Sequence, residues 1–97
     1  MPQDSTARAK RRVTIVNQKG LHARAAAKFV KLAASFDAEV TVSKSGQEVP
    51  GSSIMGLMML AAAPGCQIEL TASGREREAA LDALAELVRR AFDEEQS

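Results

Sequence analysis

The feature that most constrains this chain is a change of hydrophobic period around residues 20–22. Before it, Val13 and Ile15 alternate with polar residues, which is typical of a strand with one buried face. After it, apolar residues recur close to the helical spacing i, i+3, i+4, i+7, at Ala26, Phe29, Val30, Ala33 and Phe36. The sequence therefore predicts that a strand passes through Gly20 into a helix, and that the only histidine, His22, lies at or beside the helix N-terminus.

The chemistry expected at such a position is the binding of an anion next to a nucleophile. The first turn of a helix presents backbone N–H groups without intrahelical acceptors, and the helix dipole is positive there. Arg24 adds a planar cationic group that fits phosphate oxygens, and a neutral imidazole is a nucleophile. We therefore interpret His22 as the acceptor of a phosphoryl group, stabilised by Arg24 and by the N–H groups of Ala23 and Ala25.

Composition narrows the class of protein. The 97 residues, 45% hydrophobic and 26% charged, suit one globular domain with a single modest core. The net charge of +1, with three Phe and no Trp or Tyr, gives no indication of a nucleic-acid or membrane partner. The sequence has no nucleotide-binding loop and no Cys/His metal spacing, so we expect no metal and no cofactor. We expect a cytoplasmic protein, because no apolar run could span a bilayer and the lone cysteine, Cys66, suits a reducing compartment.

The order of the predicted elements indicates an α+β fold. Alternation and turn residues predict strands at residues 12–17, 37–43, 47–49 and 66–72, and helical spacing predicts helices at 23–35, 54–60 and 75–92. Ser73 and Glu76 have the spacing of a capping box for the last helix. The economical arrangement of this βαββαβα order places three helices on one face of a small four-stranded antiparallel sheet.

A single domain is expected over residues 11–93. Residues 1–10 are polar and rich in small residues, and we expect a disordered extension there. Its basic end, which continues to Arg12, is interpreted as solvated chain rather than as a contact for an anionic partner. Residues 94–97 are expected to form an acidic tail. We expect Cys66 to be a small buried hydrophobe rather than a reactive thiol.

The first predicted helix has an exposed cationic side. Lys28 and Lys31 follow Arg24 at helical spacing. Lysine in the first turns of a helix opposes the dipole, so stability does not explain the stripe. We therefore expect Ala27, Lys28 and Lys31 to contribute to a docking surface for acidic partners, with ordinary surface lysines as the alternative.

The predicted helix at residues 54–60 is almost wholly apolar. Ser52 or Ser53 can cap it, since a hydroxyl accepts from the free N–H groups of the first turn. One face of so short a helix can reach the core, and we assign Leu57 and Leu60 to that face. We expect an exposed, adaptable patch next to His22, formed by Ile54, Met55 and Met58. A fully buried helix is the alternative.

Two segments resemble one protein family. Residues 17–30, NQKGLHARAAAKFV, resemble the active-site motif N-x-x-G-[LM]-H-A-R-P-A-x-x-[FL]-V of the HPr-type phosphocarriers. Residues 52–60, SSIMGLMML, resemble the regulatory-serine helix of the same family. The resemblance extends over residues 12–93 and combines features of the sugar-transport branch and of the nitrogen-related branch, NPr, so the branch stays open. One departure is Ala25, where the family usually has proline.

The resemblance implies an HPr-like open-faced β-sandwich with strand order 1-4-2-3 and a carrier rather than an enzyme. It implies that His22 takes a phosphoryl group on Nδ1 from phospho-enzyme I of the bacterial phosphoenolpyruvate-dependent phosphotransferase system. An enzyme IIA-type protein would then receive that group. The sequence leaves the oligomeric state open, and a monomer is the simplest expectation for a transient carrier. Ser53 matches the family's regulatory serine, and an HPr kinase/phosphorylase would place negative charge there, beside the docking patch. A simple helix cap is the alternative for Ser53.

Two other functions are alternatives to the carrier. The stronger is a regulatory protein-binding module of the same fold, which would control carbon or nitrogen metabolism with little transfer activity. The weaker is a small RNA-binding domain, which would need aromatic residues on an exposed sheet. The chain has three Phe, and at least two of them are expected in the core.

Overall fold

Four antiparallel strands form one sheet in the order β1-β4-β2-β3. The computed structural model describes residues 7–94. The strands are β1 (Arg8–Thr14), β2 (Glu39–Lys44), β3 (Gln47–Pro50) and β4 (Gln67–Ser73). The helices are α1 (Ala23–Ala34), α2 (Ile54–Met59) and α3 (Arg77–Arg89), and α3 is followed by a short turn, Ala91–Asp93. The predicted fold class, element order and strand order are confirmed.

The core lies between the sheet and the helices. In the central strand β4, Ile68, Leu70 and Ala72 are buried, whereas the alternate residues Glu69 and Thr71 lie on the opposite, partly exposed face. This period of two is the signature of a sheet covered on one side. The helices contribute the other half of the core, chiefly through Phe29, Leu57, Leu81, Leu84 and Val88.

The first strand begins earlier than predicted. Arg8, Ala9 and Lys10 pair with Ser73, Ala72 and Thr71 of β4, and Ala9 is buried. The prediction that residues 8–10 belong to a disordered extension is therefore wrong, while residues 1–6 lie outside the described chain. The alternation of exposed and buried residues is hard to recognise in this part of the sequence, because the buried residue, Ala9, is only an alanine between Arg8 and Lys10.

The basic residues of β1 are not merely a solvated tail. Arg11 lies between two carboxylates of α3 and donates to Glu78 Oε1 at 2.9 Å and to Asp82 Oδ1 at 3.0 Å. These hydrogen bonds raise the pKa of Arg11 above its ordinary value. Arg11 therefore helps to join the edge of the sheet to α3.

The predicted capping box of the third helix is wrong. Ser73 ends β4, and Glu76 is the N-cap of α3 but makes no side-chain capping hydrogen bond in the described chain. Instead, Glu76 Oε1 accepts from the backbone N–H of Asp37 at 2.6 Å. The carboxylate therefore joins the start of α3 to the segment before β2, and the helix begins two residues later than predicted.

The second helix has the predicted orientation. Ser53 caps it, since Ser53 Oγ accepts from the Gly56 N–H at 2.9 Å. Leu57 and Leu60 are 0% and 2% exposed, as predicted. Ile54, Met55 and Met58 are 41%, 68% and 39% exposed, and Met59, which was not part of the prediction, is 65% exposed. The fully buried alternative is therefore wrong.

Cys66 is a half-buried free thiol that packs against the core. The expectation of a small buried hydrophobe is therefore met in part.

Within residues 7–94, no helix is long and apolar enough to cross a membrane.

Candidate functional site

The loop that leads into α1 depends on the absence of a side chain at Gly20. Gly20 has φ +63°, and a Cβ atom there would lie 2.2 Å from the carbonyl oxygen of Ala62. That same oxygen accepts from the Leu21 N–H at 3.0 Å, and the His22 N–H donates to the Gly20 carbonyl at 2.9 Å. The close approach of the two backbones therefore fixes where the helix begins.

His22 is the N-cap residue of α1, as predicted. Its backbone is extended, with φ −80° and ψ −179°, and its carbonyl accepts the first helical hydrogen bond from Ala26 at 2.8 Å. The N–H groups of Ala23, Arg24 and Ala25 precede that first bond and belong to the free donors of a helix start. Ala25 itself is buried, since the residue is 1% exposed, and its methyl group packs in the core.

The His22 ring contacts a carboxylate that the sequence did not indicate. His22 Nε2 and Glu94 Oε2 are hydrogen-bonded, and the Glu94 side chain is 15% exposed. The prediction that residues 94–97 form a tail is therefore wrong for Glu94, and residues 95–97 lie outside the described chain. The two residues are 72 positions apart, and nothing in the local sequence pattern predicts the contact.

Asn17 donates a hydrogen bond to the same carboxylate. Its side chain is fully buried, and its Nδ2 donates to the Gly20 carbonyl at 2.8 Å and to Glu94 Oε2 at 3.2 Å. Within residues 7–94, Asn17 Oδ1 has no hydrogen-bond partner. In the sequence Asn17 stands out only as the first residue of the motif, whereas in the structure its buried side chain joins the loop to Glu94.

The ionised form of Glu94 is favoured by this environment. The hydrogen bond with His22 lowers the pKa of Glu94 below its ordinary value, partial burial opposes the shift, and the Asn17 amide and the charge of Lys19 add to it. Glu94 is therefore a carboxylate at neutral pH and accepts hydrogen bonds only.

An unusual turn holds Glu94 in place. Ala91, Phe92 and Asp93 have φ values of +58°, +56° and +60°, which is left-handed backbone that alanine and phenylalanine rarely adopt. Phe92 is fully buried, and Lys28 Nζ donates to its carbonyl at 2.7 Å. Arg90 Nε donates to Asp93 Oδ1 at 2.9 Å, and this hydrogen bond lowers the pKa of Asp93. The turn is therefore anchored by the buried ring of Phe92 and by hydrogen bonds from Lys28 and Arg90.

The His22 ring opens onto a surface depression of about 400 Å³. Its walls are formed by Gln18, Lys19, His22, Arg24, Lys28, Asp93 and Glu94. Three cationic side chains thus surround the ring on a surface that also carries two carboxylates. Such a depression suits a small anion more than a large apolar ligand.

The structure brings together only some of the predicted site residues. His22, Arg24 and Lys28 line the depression. Among the residues that the structure describes, the lining does not include Ala23, Ala25, Ala27, Lys31, Ser53 or the α2 patch. Lys28 is half-buried and bonded to the C-terminal turn, so its ammonium group is less available to a partner than predicted. Residues 7–94 contain no cluster of three His, Cys, Asp or Glu side chains that could hold a metal ion.

An open-faced sandwich of this topology, with a histidine at the N-terminus of its first helix, defines the class of small phosphocarrier proteins. The comparisons with known proteins agree with it. The model of the "PTS HPr component phosphorylation site" family, where PTS denotes the phosphotransferase system, matches residues 9–90. This chain belongs to that family, the HPr phosphocarriers.

Individual relatives come from both branches. The chain is similar to the phosphocarrier protein HPr of Pseudomonas putida, with 49% identity over 87% of this chain and 94% of the relative. It is also similar to the phosphocarrier protein NPr of Shewanella violacea, with 46% identity over 87% of this chain and 92% of the relative. The crystal structure of HPr-C-His from Thermoanaerobacter tengcongensis superposes with a TM-score of 0.86 at 39% identity, covering 91% and 99% of the two chains.

Proposed function

We propose that this chain is a histidine phosphocarrier that receives a phosphoryl group on His22 from phospho-enzyme I and relays it to an enzyme IIA-type protein. The observation that carries the proposal is the position of His22. Its backbone is the N-cap of α1, and its ring opens onto a depression shared with Lys19, Arg24 and Lys28. Phosphoryl transfer needs chiefly alignment and stabilisation of negative charge, and this arrangement supplies both.

The transfer exchanges one nitrogen–phosphorus bond for another. A lone pair of the His22 ring attacks the phosphorus of the donor phosphohistidine, and the donor nitrogen takes back the electron pair of the bond that breaks. Lys19, Arg24 and the N–H groups of the first helical turn stabilise the phosphoryl oxygens, and Lys28, which is bonded to the Phe92 carbonyl, adds its positive charge at the wall of the depression. The reverse sequence with an acceptor histidine releases the group, so the carrier needs no general base of its own.

The docking surface proposed for both partners combines α1 and α2. Ile54, Met55, Met58 and Met59 expose apolar side chains, and flexible thioethers suit a surface that must fit two different partners. Lys31 and Ala27 are exposed on α1 and contribute cationic and small contacts. We propose that acidic patches on the partners face this surface, and that the carrier is a monomer in the cytoplasm.

Ser53 is proposed as a regulatory site as well as a helix cap. Its hydroxyl binds the Gly56 N–H, and it directly precedes Ile54 of the exposed patch. A phosphate there would be tolerated at a helix start, but it would add roughly −2 charge to the docking surface and repel an acidic partner. An HPr kinase/phosphorylase is the candidate enzyme.

A two-stage relay tests the proposal. The protein is charged with phosphoenolpyruvate and a trace of enzyme I, freed of both, and then mixed with an enzyme IIA. We expect His22 to lose its phosphoryl group to the IIA within the mixing time, whereas His22→Ala takes up none in the first stage. If the charged protein binds the IIA but keeps its phosphoryl group, the chain is a regulatory binding module and the relay is rejected.

A further inference from the structure

The contact between His22 and Glu94 fixes which ring nitrogen is free. An ionised carboxylate only accepts hydrogen bonds, so His22 Nε2 must donate its hydrogen to Glu94 Oε2. A neutral imidazole carries one N–H, and the other nitrogen keeps its lone pair. With the hydrogen on Nε2, the lone pair is on Nδ1.

We propose that Glu94 is a positioning residue for phosphoryl transfer, because its carboxylate holds the Nε2–H tautomer of His22 and so presents Nδ1 as the nucleophile. This proposal rests on the carrier function proposed above. The resemblance alone implied Nδ1 as the phosphorylated atom, and Glu94 gives this chain a physical means of selecting it.

The carboxylate is held firmly enough to orient the ring. Asn17 Nδ2 donates to the same oxygen, Oε2, from a fully buried side chain. On the other side, the backbone that carries Glu94 is anchored by the buried Phe92 and by the hydrogen bond from Lys28 to the Phe92 carbonyl. A histidine whose second nitrogen is bonded to a fixed carboxylate keeps one tautomer and one ring orientation, as in many metal and hydrolase sites.

Glu94 also suits the charge that develops during transfer. When Nδ1 forms a bond to phosphorus, the Nε2 hydrogen stays on the ring and the ring becomes cationic. The donor nitrogen leaves with its electron pair, and no proton is released. The nearby carboxylate stabilises the cationic ring, while Lys19, Arg24 and Lys28 offset the repulsion of Glu94 and Asp93 on the incoming phosphoryl oxygens.

The test measures the tautomer and the transfer separately. Long-range ¹H–¹⁵N spectra of the ¹⁵N-labelled protein at pH 8 report which His22 nitrogen carries hydrogen. We expect wild type to show the Nε2–H tautomer alone, and Glu94→Gln to show a mixture, because an amide can both donate and accept. The matched control is Glu86→Gln, which neutralises a carboxylate paired with Arg89 on α3, away from His22.

The same variants are then phosphorylated by enzyme I. We expect the initial rate for Glu94→Gln to fall by about tenfold or more, as is common when the oriented partner of a functional histidine is removed, and the rate for Glu86→Gln to match wild type. Amide spectra confirm that both variants are folded. An Nδ1–H tautomer in wild type, or an unchanged tautomer and rate in Glu94→Gln, would overturn the positioning role.

Failure of the carrier function looks different. If wild type shows the Nε2–H tautomer but accepts no phosphoryl group from an enzyme I that charges another HPr, the proposed function fails and the positioning role fails with it. The tautomer would then be only a structural property of the His22–Glu94 pair.

Discussion

At the scale of single residues, the loop before α1 depends on Gly20, where a side chain would meet the backbone of Ala62. Gly20 combines a positive φ with a backbone neighbour at 2.2 Å from its virtual Cβ, whereas Gly46 has φ +83° with nothing within 4 Å. A substitution at Gly46 therefore measures the free-energy cost of left-handed backbone alone. A substitution at Gly20 measures that cost together with the clash against Ala62.

We predict that Gly20→Ala is much more destabilising than Gly46→Ala. A left-handed alanine costs about 1–2 kcal/mol at either position, but at Gly20 the methyl group also pushes the loop away from Ala62. Urea unfolding followed by circular dichroism should therefore show a loss of about 3 kcal/mol or more for Gly20→Ala. Equal losses in the two variants would contradict the close backbone approach at Gly20.

The pH dependence of stability provides a second prediction at this scale. Glu94 has a pKa below its ordinary value of 4.5 in the folded protein, so its contribution is fully present above about pH 4.5 and is lost as pH falls through the lower folded pKa. Glu94→Gln should reduce the free energy of unfolding by about 1–2 kcal/mol at pH 7. The difference from wild type should shrink at more acidic pH. A difference that grows below pH 4.5 would show that the sign of the linkage is wrong.

At the scale of elements, the sequence predicted the features that depend on hydrophobic spacing and on helix capping. The start of α1 at Ala23, the Ser53 cap and the buried Leu57 and Leu60 followed from helical spacing and hydroxyl capping. The start of β1 was missed because Arg8 and Lys10 flank a small buried alanine. The start of α3 was missed because Glu76 bonds to the Asp37 N–H, a tertiary contact that no local rule reveals.

The two roles of Ser53 can be separated by paired substitutions. Ser53→Ala removes the cap of α2 and should lower stability by about 1 kcal/mol, with phosphoryl transfer unchanged in the folded protein. Ser53→Asp keeps a good capping side chain and adds a negative charge, so stability should be retained while transfer from enzyme I slows severalfold. Denaturation curves and initial rates measure both effects. Wild-type transfer by Ser53→Asp would remove the proposed regulatory role.

The exposed patch on α2 can be tested through its most exposed residue. Met55→Asp should leave stability within about 0.5 kcal/mol of wild type, because residue 55 is 68% exposed. A charge in the docking surface should instead raise KM for enzyme I by about tenfold with little change in kcat. Ala79→Asp, which adds the same charge on the exposed face of α3, is the control. If both variants raise KM equally, the effect is one of net charge and the patch is not the docking surface.

At the scale of the whole molecule, the site exists because the last turn of the chain returns to the first helix. Its left-handed backbone at residues 91–93 costs about 1–2 kcal/mol per residue. The buried Phe92 ring, at about 3 kcal/mol, and the charged hydrogen bond from Lys28, at about 2 kcal/mol, offset that cost. The sequence predicted His22 and Arg24 from a local motif, but Glu94 could not be predicted because its position depends on this balance of distant contacts.

The most direct test of the account is the intact mass of the protein after incubation with phosphoenolpyruvate and a trace of enzyme I. We predict one phosphoryl group on wild type, which is lost on brief acid treatment, and none on His22→Ala. That result would establish His22 as the carrier residue and show that Ala25 serves in place of proline. An unmodified wild type, in a reaction that charges another HPr, would contradict the account, as would an adduct that survives in His22→Ala.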